Sequence, residues 1–276
     1  MRAVRFVDPS GAIKLGRLED DVVYDAGQAG ATGFVPNQQG WEQIVGASGL
    51  AHLVEDVRLL HPTVPNKLIA IGLNYRDHAE ESELEIPSVP VVFAKWTTSL
   101  TGHRQPIVVP REETRPDYEG EVAVVLGHDV YRADEVRARA AVGGISAFHD
   151  VSGRRAQLET PLRQFTLGKS FDTFAPMGPC VSNADGVDLA DIDVATTVNG
   201  DLRQSSNTRN LIFSIVDLIV YLSRGMTLQA GDVIATGTPG GVGDSRVPPL
   251  YLTEGDVVDV KVAGVGTLSN PVTLEG

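Results

Sequence analysis

A chain of 276 residues with 42% hydrophobic and 21% charged content has the make-up of a soluble globular protein and can bury a substantial core. Its net charge of −13 argues against a nucleic-acid partner, which needs clustered Lys and Arg against phosphate. A single cysteine, Cys180, excludes a disulfide framework, a CxxC redox pair and a thiolate zinc site.

Residues 1–62 read as a small β-rich domain. Met1 to Phe6 lacks the apolar core of a signal peptide. Nothing approaches the roughly 18 uninterrupted apolar residues of a membrane span, so the cytoplasm is the expected setting and no membrane partner is expected. Short strands are predicted at Ala3 to Val7 and Ala12 to Leu15, around the turn Asp8-Pro9-Ser10-Gly11, and at Val22 to Tyr24. His52 and His61 are isolated. Pro62 and Pro65 mark the boundary with a larger domain, 63–276. There Lys67 to Gly72 reads as a strand. In a helical reading of Leu73 to Ser82, His78 and Glu81 stand at i and i+3 and face each other. A carboxylate beside an imidazole fixes its tautomer and suits a general base; a surface Glu–His contact is the plainer alternative.

Val91 to Lys95 and Pro106 to Pro110 are further strand candidates. Next comes Asp117-Tyr118-Glu119-Gly120-Glu121, running straight into Val122 to Leu126. The two-residue period of a strand puts Glu119 and Glu121 on one face, roughly 6–7 Å apart. Ala123 and Val125 continue that face, and Val122, Val124 and Leu126 line the other, the pattern of an interior strand. Carboxylates there must be paired, protonated or bound to a cation, and oxygen-only ligands suit Mg²⁺ or Mn²⁺. A solvated E-x-E on an edge strand is the alternative.

Arg132 to Ala141 reads as a helix with Asp134 and Glu135 at its start and Gly143-Gly144 as its stop. The strand Ile145 to Asp150 then ends on a third acid. Gly168-Lys169-Ser170 mimics the end of a phosphate-binding loop, but Arg163 stands where that motif needs its first glycine. Asn199-Gly200 after Ile192 to Val198 predicts a hairpin. Ser214 and Asp217 open a capped helix with the stripe Ile215, Leu218, Ile219 and Leu222, and Gly225 as its stop.

Assembled, the segments Gly72 to His78, Phe93-Ala94-Lys95, Glu119-Gly120-Glu121, His149 to Arg154, Gly168 to Asp172, Val198-Asn199-Gly200 and Gly237 to Gly243 resemble, in order, the fumarylacetoacetate hydrolase family. The resemblance implies an α+β, predominantly β fold: a mixed β-strand roll preceded by a small N-terminal domain, and a homodimer. It implies Glu119, Glu121 and Asp150 as ligands of one Mg²⁺ or Mn²⁺, and His78 and Glu81 as a catalytic pair on a lid. Lys169 matches the family's active-site lysine. Arg154, Gln157, Lys95 and Thr238 match positions near the substrate. Two positions depart from the family's pattern. His149 stands where Asn is common, and Gly153-Arg154-Arg155 lacks the acid that commonly follows the arginine.

The chemistry expected of these residues is metal-dependent C–C cleavage of a 2,4-dioxo acid. Three carboxylates leave about three positions of an octahedral ion for the substrate's carboxylate and 2-oxo oxygen. His78, polarised by Glu81, would activate water; Lys169, with Gln157, would stabilise the oxyanion; the ion would act as Lewis acid toward the enolate. The same enolate arises when oxaloacetate loses CO₂ or an oxo acid tautomerises, so decarboxylase or tautomerase is the alternative. A ligand-binding protein is the third reading.

Overall fold

The computed structural model describes residues 1–83 and 85–276. Every residue of the strand Gly120–Leu126 is buried, and its two faces enter different cores. Val122, Val124 and Leu126 pack in the larger core; Ala123 and Val125 pack in the second. The strand is therefore interior, as the apolar alternation predicts. It pairs antiparallel with Val142–His149 on one side and with Val233–Ala235 on the other.

These strands lie in the middle of a 12-stranded mixed sheet. Beyond Val233–Ala235 come Leu68–Gly72, parallel to it, and the edge strand Val91–Ala94. Beyond Val142–His149 lies Ala175–Asn183, and then Arg2–Val7, Ile13–Glu19, Val22–Gln28 and Ala51–Leu53. The N-terminal strands thus continue the main sheet, with Ala3 opposite Val181. A second, five-stranded sheet is built from Ile107–Val109, Asp193–Val198, Asp201–Asn207, Val257–Val262 and Gly266–Leu274. Its Val194, Val260, Val262 and Leu268 share the larger core with Val122 and Val124, so it covers that face of the main sheet. The chain is predominantly β, with few and short helices.

Local expectations fare unevenly. Asn199 and Gly200 take φ of 53° and 83°, the paired positive angles of a tight hairpin turn, between Asp193–Val198 and Asp201–Asn207. Ser214 and Asp217 form a reciprocal cap on the helix Ile215–Leu222, whose Ile215, Leu218, Ile219 and Leu222 are buried. That helix is capped at Ser223, ahead of the expected Gly225. The helix Glu135–Ala141 starts on Asp134, whose side chain accepts the Arg137 N–H. Gly143-Gly144 is no helix stop, because the strand Val142–His149 begins at once.

Candidate active site

Glu119 enters the strand Gly120–Leu126 and Glu121 is its second residue, which turns both side chains to one face. Asp150 directly follows Val142–His149, and its N–H donates to the Glu119 carbonyl at 2.8 Å, bringing the third acid alongside. The three carboxylates are buried, and each offers an oxygen within 4.8 Å of the others.

Two glycines make this approach possible. A Cβ on Gly120 would stand 2.0 Å from Thr196 Oγ1, so only glycine fits between the two sheets here. The Gly120 N–H donates to Gln204 Oε1 at 2.9 Å and its carbonyl accepts from Thr238 Oγ1 at 3.0 Å. Gly237, at φ 105°, occupies a conformation that favours glycine and donates its N–H to Glu121 Oε2 at 2.9 Å.

Cations sort the acids. Glu119 Oε1 pairs with Arg154 Nη2 and Oε2 with Lys169 Nζ, each at 2.7 Å. Asp150 takes Lys95 Nζ on Oδ1 at 2.5 Å and Lys169 Nζ on Oδ2 at 2.8 Å. Glu121 has no cationic partner among the described residues. Burial raises its carboxyl well above the usual range, and the charges of Asp150 and Glu119 push the same way. Burial also opposes ionisation of Glu119, but Lys169 and Arg154 outweigh it and hold that carboxyl low. The donor set fits a hard divalent cation: three buried carboxylates, one of them lacking the counter-charge its burial demands.

A cavity of about 560 Å³ opens onto this cluster. Its wall contains Glu119, Lys169, Arg154, Gln157 and Thr238, together with His78 and Glu81 from the short helix Arg76–Glu81. His78 Nδ1 lies 3.8 Å from Glu81 Oε2, and that same oxygen accepts the Gly241 N–H at 2.7 Å, which docks the helix on the glycine-rich loop. The contact with His78, with help from the Gly241 N–H, lowers the Glu81 carboxyl to about 2.

The expected substrate contacts divide. Arg154 Nη1 holds Gln157 Oε1 at 2.9 Å. Thr238 reaches the cavity, but its hydroxyl proton goes to Gly120 and its oxygen accepts from Gln204 Nε2 at 2.8 Å. Lys95 is absent from the cavity wall: its Nζ is buried behind Asp150 and also donates to the Val151 carbonyl at 3.3 Å. Lys169 donates to Ser152 Oγ at 2.8 Å in addition to its two acids.

Three contributors had no assigned role in the sequence. Asp117 is fully buried and takes Arg154 on Oδ2 at 2.7 Å, while the N–H groups of Gly243 and Asp244 donate to it at 2.7 and 3.0 Å. It thereby ties the arginine to the glycine-rich loop. Its signal was present, since Asp117, Glu119 and Glu121 share the two-residue period. Gln204, clamping Gly120 and Thr238 from the second sheet, had none. Glu113 accepts the N–H groups of Arg155 and Ala156 at 3.1 and 3.0 Å, so a carboxylate from elsewhere in the chain serves the start of the helix Arg154–Leu158, where no acid follows Arg154. His149 is buried, with neither ring nitrogen partnered among the described residues; burial, then the charge of Lys95, lowers it to about 3 and keeps it neutral.

Residues 67–273 match the model of the fumarylacetoacetate hydrolase C-terminal domain. The chain belongs to the fumarylacetoacetate hydrolase family. Within it, an oxaloacetate tautomerase of Bacillus subtilis is 45% identical over 221 residues, covering 77% of this chain and 72% of that protein. A 5-carboxymethyl-2-hydroxymuconate delta-isomerase from Mycobacterium smegmatis superposes with a TM-score of 0.82 at 35% identity, over 100% of both chains. A 2-hydroxyhepta-2,4-diene-1,7-dioate isomerase from Mycobacterium marinum gives 0.80 at 31%, over 100% and 99%. As a member of the fumarylacetoacetate hydrolase family, this chain is an enzyme acting on small molecules. The Bacillus protein is named a tautomerase and the two mycobacterial proteins isomerases.

Proposed function

We propose that this enzyme is a divalent-metal-dependent tautomerase of 2-oxo acids, acting on acids such as oxaloacetate that carry a second carboxylate. The observation that carries the reading is a single cavity whose wall holds both the His78–Glu81 pair and the Glu119 edge of the acidic cluster. The oxaloacetate tautomerase relative supports it. Glu119, Glu121 and Asp150 would hold Mg²⁺ or Mn²⁺, which when bound supplies Lewis-acid stabilisation of negative charge.

The chain's own residues do the rest. Tautomerisation moves a proton between the carbon beside the 2-oxo group and its oxygen. His78 removes the carbon-bound proton and later releases it to solvent, from which the 2-oxo oxygen takes the proton that completes the enol. Glu81, ionised throughout the neutral range, holds the ring and stabilises the imidazolium meanwhile. Lys169 and Lys95 fix the two oxygens of Asp150 in place, as Arg154 and Lys169 fix those of Glu119. Arg154 also engages Gln157 through its carbonyl oxygen, leaving the amide N–H groups to donate to the acid's carboxylate.

The test follows the enol absorbance of oxaloacetate in chelator-stripped and Mg²⁺-restored enzyme. The expected result is metal-dependent equilibration above the uncatalysed rate, falling roughly 10²–10⁴-fold in His78→Ala with metal binding retained. Chelator-sensitive acetate release from acetylpyruvate without oxaloacetate tautomerisation would return the assignment to C–C hydrolysis.

A further inference from the structure

Three cations line the cavity: Arg154, Lys169 and Arg163. Arg154 and Lys169 are committed to Asp117, Glu119 and Asp150. Arg163, an exposed residue of the same wall, forms no ion pair among the described residues. Its backbone sits at φ 50°, in the left-handed region that favours glycine, so a residue with a long side chain is held where the local conformation resists one. The segment is pinned at both ends. The Arg163 N–H donates to the Thr160 carbonyl at 3.0 Å, and the next residue, Gln164, donates to the Gln157 carbonyl at 2.8 Å. Arg163 is thereby fixed close to the Gln157 side of the cavity. The same wall carries the rings of Phe93 and Phe165, 5.6 Å apart, and the Phe93 ring lies 5.3 Å from Lys169 Nζ at the acidic cluster.

We infer that Arg163 anchors the distal carboxylate of a linear 2-oxo dicarboxylic acid whose carbon chain lies against Phe93 and Phe165. The assignment rests on the tautomerase reading for the acid's other end. The wall also carries Glu81, Glu83 and Asp244, which repel a second carboxylate unless a cation not already held by an acid offsets them. A guanidinium supplies the paired donors a carboxylate takes.

The test uses two acids of equal chain length, 2-oxoadipate and 2-oxohexanoate, with Mg²⁺-loaded wild type, Arg163→Met and Arg163→Lys. Binding is measured by calorimetry, and enolisation by deuterium exchange at C3 in D₂O. Arg163→Met is expected to weaken 2-oxoadipate about tenfold in both Kd and KM, with Arg163→Lys recovering most of the loss. 2-Oxohexanoate and Mg²⁺ affinity should stay within about twofold. Unchanged 2-oxoadipate binding in Arg163→Met overturns the inference, as does a parallel loss for both acids. If wild type exchanges no deuterium while 2-oxoadipate binding still depends on Arg163, the tautomerase reading falls and the anchor stands.

Discussion

Glu81 shows how one side chain couples chemistry to the position of its helix. Its carboxylate meets the His78 ring and accepts the Gly241 N–H, and these contacts lower it from the ordinary glutamate range to about 2. A depressed acid stabilises the state that depresses it. That contribution is complete above the unfolded value near 4.5 and is lost as pH falls from there toward 2. Protection of residues 76–83 from hydrogen exchange should therefore stay constant between pH 7 and 5 and weaken below about pH 4.5. Glu81→Gln should already be less protected at pH 7 and lose the acid dependence. Equal protection of wild type and Glu81→Gln at pH 7 would detach this residue from docking. Much of this was legible at the residue scale: His78, Glu81, Glu119, Glu121, Asp150 and Lys169 were named from spacing and resemblance. The pairing of the Lys95 ammonium with Asp150, 55 positions away, was not legible from the sequence neighbours of either residue.

At the scale of elements, local signals succeeded where the cause is local and failed where it is across the fold. The Asn199-Gly200 turn and the Ser214–Asp217 cap depend on adjacent residues and were readable. Gly143-Gly144 was misread as a helix stop because its reason lies in distant neighbours. A Cβ on Gly143 would meet the Pro36 carbonyl oxygen at 2.2 Å, and one on Gly144 would meet Val181 Cγ1 at 2.3 Å. Gly144→Ala should overpack that contact and cost roughly 1–3 kcal/mol in urea unfolding; an unchanged midpoint would show that Val181 yields freely. The strand Ala175–Asn183 went unpredicted for a related reason. Pro176, Gly178 and Pro179 look like breakers, yet the ladder with Val142–His149 shifts register between Ile145 and Ala147, opposite this stretch, so the missing N–H of Pro179 interrupts little.

The whole molecule is organised by the sheet. Residues of the site range from 78 to 238, and they meet because Gly120–Leu126 is flanked by Val142–His149 and Val233–Ala235, which deliver Asp150 and the Gly237–Thr238 loop to its end. The division at residue 62 is crossed by hydrogen bonds, since Arg2–Val7 pairs with Ala175–Asn183. Val4, Phe6, Leu18, Val23 and Leu59 also belong to the larger core. Deleting residues 1–62 should bare an interior strand edge and open that core, giving aggregated protein by light scattering; a monodisperse truncated chain that still binds metal would refute this. The central claim is that Glu119, Glu121 and Asp150 together grip one divalent cation. Its most direct test is calorimetric titration of Mn²⁺ into chelator-stripped wild type and Glu121→Gln, because Glu121 is the member of the trio with no cationic partner among the described residues. One site per chain is predicted, with affinity falling at least about 100-fold in the variant. Equal affinity in the two proteins would contradict the account.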